Sequence, residues 1–437
     1  MAKTKEKMEA LVPAEEQPYP VPDNWRWVRL GGITEVIGGG TPSSGNKEYY
    51  IDGDIPWISP ADLSGYNDIY ISYGAKYITL LGLQNSSARL LPKDTVCLST
   101  RAPIGYVAIA NNEISTNQGF KSFLPSEYYL PRYLYWYLKG NKSLLESMAS
   151  GTTFLELSGS KAAMIPCPLA PLSEQERIAD CIERLFAKLD EAKEKAQAVV
   201  DGYEDRKAAI LHKAFTGELT GNSADGWETV CLKEIVSGFK YGTSEKSNYT
   251  NTGMPVLRIP NIGDNEIDFS DMKYLDHNSV DEQNQVHKDD ILIIRSNGSR
   301  DLVGKCAIVP ELNRQYAYAS FLIRIKPSDK IQSEFLSIFL NSSEARSQMF
   351  AKAKSSAGIH NINSKELGEI VLKLPSVCEQ TEIISLIHKV LEKETEAKTL
   401  AENIIVKIDE MKKSILAKAF RGELGTNDPN EEPVAIS

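Results

Sequence analysis

Two guanidinium groups, one amide and two hydroxyls fall within six consecutive residues, Arg295, Ser296, Asn297, Gly298, Ser299 and Arg300. They follow Asp290 to Ile294, an apolar run that reads as a strand ending in a tight polar turn. Such side chains suit nucleic acid. Arginine reads guanine O6 and N7 bidentately and asparagine reads adenine N6 and N7, while serine hydroxyls and glycine amides suit phosphates. An ordinary hydrophilic loop has the same composition, so this loop alone does not decide. In the first half, Ser99 to Gly105, with Arg101 at its centre, occupies the comparable place after Asp94 to Leu98, and Asn117 and Gln118 follow. Further candidates for DNA contact are Thr41 and Ser43 in a glycine-rich turn, Lys240 with Tyr241, and Arg258 with Asn261. Arg258 also reads as a solvent-facing strand residue.

Catalytic constellations are not legible. Gly40 to Lys47 approaches a phosphate-cradling loop, but Asn46 separates Gly45 from Lys47 and Glu48 follows, so the required Gly-Lys-Ser/Thr ending is missing. His212, His277, His287, His360 and His388 have no metal-ligand spacing, and neither GxSxG nor a strand-to-helix GxGxxG is present. Cys97, Cys167, Cys181, Cys231, Cys306 and Cys378 stand singly, which points to reduced thiols and a cytoplasmic setting. No apolar stretch reaches transmembrane length. Net charge is −10, a balance that disfavours nucleic acid unless charge is segregated. Arg258, Arg295, Arg300, Lys305, Arg314 and Arg324 crowd into part of the second half, so the total does not settle the matter.

The elements that must position these turns come from a duplication. Ile210 to Leu219 (ILHKAFTGEL) recurs about 205 residues later as Ile415 to Leu424 (ILAKAFRGEL). Pro171 to Ile178 (PLSEQERI) is echoed by Pro375 to Ile383 (PSVCEQTEI), and Trp25, Val28 and Leu30 by Trp227, Val230 and Leu232. After Pro171, the residues Ile178, Ile182, Leu185, Leu189, Ala192, Ala196, Val199 and Tyr203 step by four and three, a heptad seam. Ile383, Ile387, Val390, Glu394, Ala397, Ala401, Ile404, Ile408, Met411 and Ile415 repeat it, with Glu394 its one charged member. Ser173 with Glu176 reads as a capping box, and Gly217 and Gly422 as helix ends. Each helix runs roughly 40 residues, about 60 Å. Neither buries its seam alone; an antiparallel pair within the chain is the simplest solution, and pairing with another subunit is the alternative.

The spacing therefore predicts an α+β protein with an internal pseudo-two-fold repeat. Its parts are a polar N-terminal extension (1–24), a globule (25–170), a long helix (171–221), a second globule (222–373), a second helix (374–425) and a flexible tail (426–437).

The repeated EQ-headed helix ending in ILAKAFRGEL, together with GGGTPSS, DIPWISPADL, APIGYVAIA, NQGF and VLRIPNI, resembles the specificity (S) subunits of type I restriction-modification systems. The resemblance runs from Trp25 to Leu424. It implies two target-recognition domains, each reading one half of a bipartite double-stranded DNA site, with the paired helices as spacer. It also implies two methyltransferase (M) subunits, which bind S-adenosylmethionine and flip an adenine, and nuclease-translocase (R) subunits using ATP and Mg. This chain itself would carry no cofactor and no catalytic residue. Two features depart from the repeat: Gly151 to Leu157 parallels Gly358 to Ile362 only loosely, and the residues before Asp23 have no counterpart. Alternatives are the specificity subunit of another two-domain methylation-restriction system, or a coiled-coil scaffold whose globules bind protein.

Overall fold

The computed structural model describes residues 9–101, 103–151, 155–221, 223–277, 280–356 and 358–436. The start of the N-terminal extension, Ala102 of the first polar loop and Thr152 to Phe154 of the loosely paralleled segment lie outside the described residues. The chain divides into two units, one running through Lys195 and resuming at Ile404, the other from Ala196 to Asn403. Each unit thus owns one globule and a portion of both long helices.

In the first unit, Arg26–Arg29 pairs antiparallel with Pro166–Leu169. A five-stranded sheet follows the order Val36–Gly38, Phe120–Phe123, Val96–Thr100, Ile104–Ala110, Tyr70–Ile71. Val96–Thr100 is buried along its whole length, as a central strand covered on both faces must be. A smaller sheet runs Lys76–Ile78, Ile55–Ile58, Ile114–Thr116, Leu90–Leu91 and contains a parallel pair, Ile55–Ile58 with Ile114–Thr116.

The second unit repeats this plan. Glu228–Cys231 pairs with Val371–Leu374; a sheet runs Val236–Tyr241, Leu322–Pro327, Ile291–Ile294, Cys306–Ile308; a smaller one runs Lys273–Tyr274, Pro255–Leu257, Ala317–Tyr318. The parallel pair recurs as Pro255–Leu257 with Ala317–Tyr318.

The repeated helix motifs hold each globule to its helices. Phe420 packs its ring edge-on against Tyr133 and Tyr137, 5.2 and 5.1 Å away, on the helix Pro131–Gly140. Phe215 does the same with Phe335 and Phe339, at 5.3 and 5.2 Å, on Ser333–Asn341. The partners are four residues apart and so share a helix face. The Gln of each Glu-Gln pair is fully buried. Gln175 accepts from Leu130 N–H at 2.8 Å and donates to Tyr128 and Ala170 carbonyls. Gln380 accepts from Gln332 N–H at 2.8 Å and donates to Lys330 and Pro375 carbonyls. Each amide satisfies three main-chain groups that no helix or sheet reaches.

Within each unit the helix segments run antiparallel. In the first, Lys193 pairs with Asp409 at 2.8 Å and Lys412 with Asp190. In the second, Arg206 Nε meets Glu394 at 2.7 Å, which accounts for the charged seam position. The expected single helix over 171–221 is instead two, Leu172–Asp201 and Tyr203–Phe215. A side chain at Gly202 would lie 2.6 Å from Arg206 Nη1, so the glycine leaves room for Arg206 to fold back onto the Val199 carbonyl at 2.8 Å. The C-terminal helix, Val377–Ala419, is continuous. Gly217 and Gly422 take left-handed φ of 81° and 74° just past the helix ends.

Further expectations change. In the second seam Glu394, Ala401, Ile408 and Ile415 face inward as expected, but Ala397, Ile404 and Met411 are exposed, and Lys398, Ile405 and Lys412 take their places. The buried stripe steps first by four and then by three from each shared position, rather than three then four. Ser173 makes no capping box with Glu176: the helix begins at Leu172, and the Ser173 hydroxyl donates to Glu431 at 2.6 Å. Ser376 and Glu379 form that box in the second unit.

The tail expected to be flexible is instead held in place. Arg177 binds Glu431 through two nitrogens at 2.8 Å, Val434 N–H donates to Asn24, and Val434 and Ile436 pack on the first unit's core. Apolar residues spaced through an otherwise polar tail give it something to bury. The described part of the N-terminal extension is held likewise, with Val12 N–H donating to the Trp27 carbonyl at 3.0 Å and Arg29 N–H to the Ala10 carbonyl at 2.7 Å. No helix among the described residues is long and apolar enough to cross a membrane.

Candidate nucleic-acid interface

In the first unit the glycine-rich turn and the NQGF turn meet. A side chain on Gly39 would fall 1.9 Å from the Asn117 carbonyl, and one on Gly40 2.1 Å from Ala88 N. Gly40 N–H donates to the Thr116 carbonyl at 2.9 Å. The glycines thus serve close backbone approach, and the approach lets the Thr41 hydroxyl hydrogen-bond the Gln118 side chain. Asn117 caps its own turn, its side-chain oxygen accepting from Gly119 N–H at 2.9 Å. Thr100 N–H then ties the loop after Val96–Thr100 to Gly119 at 2.8 Å, bringing Arg101 to the same edge. Thr41, Ser43, Gln118 and Arg101 are all exposed. Beside them opens a cavity of about 520 Å³ lined by Thr41, Ser44, Tyr50, Trp57, Ala75, Lys76 and Tyr77.

Lys121, missed by sequence reasoning, lies within electrostatic reach of Arg101 and Glu156, and burial lowers its pKa. Its place in the strand Phe120–Phe123, an apparently buried segment, hid it.

The second unit builds the same edge from other residues. A side chain on Gly242 would meet the Tyr318 carbonyl at 2.1 Å, as Gly39 meets Asn117. Arg295 N–H donates to the Phe321 carbonyl at 3.0 Å and its carbonyl accepts from Ile362 N–H at 2.9 Å, the bonds that Thr100 makes to Gly119 and Leu157. Arg295 therefore corresponds to Thr100, and Ser296 to Arg101. The Arg295 guanidinium stacks 4.8 Å from the Tyr241 ring centroid, and its Nε is buried without a hydrogen-bond partner. A cavity of about 380 Å³ is lined by Thr243, Ser244, Glu245, Lys246, Ser247, Arg258 and neighbours, including the exposed Phe321.

The remaining candidates divide. Lys240 is exposed beside Tyr241 on the edge strand Val236–Tyr241. Asn297 accepts from Ser299 N–H at 2.7 Å and so shapes the loop, leaving Ser299 and Arg300 exposed. Arg258 is paired with Asp271 at 3.0 Å and is largely committed inside the domain. Asn261 is 0% exposed, accepts from Arg258 N–H at 2.8 Å and donates to the Asp268 and Asp271 carbonyls. It holds the turn and does not reach outward, which corrects its assignment as a reader; Asp62 does the same work after Ser59 in the first unit. Of the crowded cations, Arg324 is also internal, 3.6 Å from the buried Asp290.

The model for the type I restriction modification DNA specificity domain matches twice, over residues 22–200 and 224–404. The type I restriction enzyme MjaIX specificity subunit of Methanocaldococcus jannaschii is 34% identical over 260 residues, 55% of this chain and 59% of that protein. This chain thus spans less than two thirds of that relative. The EcoKI specificity subunit of Escherichia coli is 24% identical over 433 residues, 95% of this chain and 93% of that protein. Among solved structures, the HsdS subunit from Thermoanaerobacter tengcongensis matches with a TM-score of 0.64 at 19% identity, covering 94% of this chain and 100% of that one. A chain from work on complex assembly and conformational transition of the type I R-M system matches at 0.68 and 20%, over 93% and 100%. These likenesses establish the fold.

Proposed function

The chain belongs to the type I restriction modification DNA specificity family, and from that premise we propose that it is the sequence-recognition subunit of such a system. Each unit's globule reads one half of a bipartite double-stranded DNA site. The observation that carries this reading is the recurrence of one loop edge in both units with different side chains: Thr41, Gln118 and Arg101 in the first, Tyr241, Arg295 and Ser320 in the second. A shared frame with exchanged side chains is what two readers of different base sequences need. Thr41, Ser43, Arg101, Asn117, Gln118, Lys240, Tyr241, Arg258, Arg295, Asn297 and Ser299 form or support that edge, and Arg300 lies beside it as a contact to the DNA backbone; Arg295 is the strongest candidate for a bidentate base contact.

The long helices set the distance between half-sites and receive two methyltransferase subunits, which bring S-adenosylmethionine. Nuclease-translocase subunits bring ATP and Mg. This chain supplies recognition without chemistry, and the complex works in the cytoplasm.

Methylome sequencing of a host with and without this gene tests the reading. The expected result is loss of methylated adenines at one bipartite motif. An unchanged methylome, with a co-purified complex that binds no DNA selectively, would overturn it.

A further inference from the structure

We infer that Arg300, Arg346 and Phe350 form a clamp for a DNA backbone phosphodiester on the second unit. The inference rests on the DNA-recognition reading and gives these residues a role separate from base reading. Arg346 and Phe350 lie four apart on the helix Ser343–Lys352 and so share a face. Arg300 opens the turn Arg300–Leu302, on the loop that carries Arg295. The guanidinium carbons of Arg300 and Arg346 stand 4.8 and 4.9 Å from the centroid of the same Phe350 ring.

Two like charges gathered on one ring repel, and the ring's quadrupole offsets only part of that cost. Arg346 is fixed there by donating to the Asp301 carbonyl. Gly304, at φ 87°, lies beneath it: a side chain there would come 2.6 Å from Met349 Sδ and 3.4 Å from Arg346 Nη1. Neither guanidinium is in an ion pair with a carboxylate among the described residues; the Asp301 carboxylate acts on Arg346 only from longer range. Burial also disfavours the charged form of Arg346, a cost that a bound anion would offset.

Planar guanidinium forks match phosphate oxygens, and two held beside one ring are bound at little further entropic cost. The corresponding helix of the first unit, Lys142–Met148, carries instead a Lys142–Glu146 pair at 3.7 Å, with the Lys142 stem over Gly105 at φ 98°. There the charge is already balanced, so the clamp belongs to the second unit alone.

The test is equilibrium binding of the assembled complex to cognate, half-site-scrambled and unrelated duplexes across a salt series. For the Arg300→Ala/Arg346→Ala double variant, affinity should fall by about the same factor, roughly tenfold, on all three duplexes. The slope of log K against log salt should flatten by about one, and the preference for cognate DNA should be unchanged. Each single variant should account for part of the change, and Arg346→Lys should restore most of the slope. A selective loss at one half-site with the slope kept would make these base readers and overturn the clamp. An unaltered slope in the exposed Arg300→Ala variant, beside a destabilised Arg346→Ala, would leave Arg346 a purely structural residue and overturn it too. Failure of the unaltered complex to prefer any sequence would instead sink the recognition reading itself.

Discussion

The guanidinium of Arg295 lies over the Tyr241 ring, 4.8 Å from its centroid, and the Tyr241 hydroxyl is itself hydrogen-bonded to Ser364, accepting from its N–H at 3.0 Å. The ring helps hold the guanidinium in place, and a bidentate donor is useful only when it is held. Tyr241→Leu should therefore weaken binding to one half-site by about 0.5–1 kcal/mol, a few-fold, without touching the other. Binding of the assembled complex to duplexes with each half scrambled in turn measures it. An equal loss at both halves would refute the modular reading.

Gly39→Ala places a methyl group 1.9 Å from the Asn117 carbonyl unless the turn moves. Overpacking of this kind costs about 1–3 kcal/mol, and the shift should break the bond between Thr41 and Gln118. The expected outcome is a less stable first unit that loses its own half-site and spares the other. Denaturant melts and half-site binding together check it.

Phe420→Ala and Phe215→Ala remove equivalent anchors from different units. Each should cost about 3–5 kcal/mol. Hydrogen exchange mapped along the chain should show loss of protection in the first unit for Phe420→Ala and in the second for Phe215→Ala. Matching patterns from both would contradict the independence of the two cores.

The tail predicts a pH response. Hydrogen bonding to Arg177 lowers the Glu431 pKa from its ordinary value. A carboxylate lowered in the folded state contributes stability that is present above about pH 4.5 and is lost as pH falls through the lowered value. Glu174 beside it behaves oppositely: burial raises its pKa despite the hydrogen bonds from Thr426 and Arg177, so its ionisation opposes folding at neutral pH. Limited proteolysis should show residues 426–436 protected near neutrality and released in acid, once pH falls through the lowered Glu431 value. Glu431→Gln should release them at neutral pH as well; a tail equally protected in both proteins would count against the Arg177 clasp.

Much of this organisation was legible because duplication displays what each unit requires. The echoes at Gln175 and around Phe420 each mark a residue that ties helix to globule, and their recurrence made the two-unit plan readable without knowing why each was kept. The physical reasons appear only in three dimensions. Gln175 is a main-chain staple that no local pattern reveals, and Gly39 and Gly40 read as turn chemistry although they serve close approach between segments distant in sequence. Past Glu394 the second seam was half legible: positions one heptad apart held, and those between moved by one residue, because side-chain choice along an amphipathic stripe does not fix which of two adjacent positions turns inward. The interface was legible as loops but not as residues. Composition could not tell that Asn261 caps a buried turn, that Arg324 pairs with Asp290, or that Arg346, on a helix outside every polar loop, joins Arg300.

The most direct test of the account is selection of bound DNA by the assembled complex from a library randomised across both half-sites, using the unaltered chain, a Thr41→Ala/Gln118→Ala variant and Arg295→Ala. The account predicts a bipartite motif for the unaltered chain. Each variant should lose base preference in one half only, and in different halves, with Arg295→Ala losing about 1–3 kcal/mol of discrimination at the base it contacts. Both halves degrading together, or both variants degrading the same half, would contradict it.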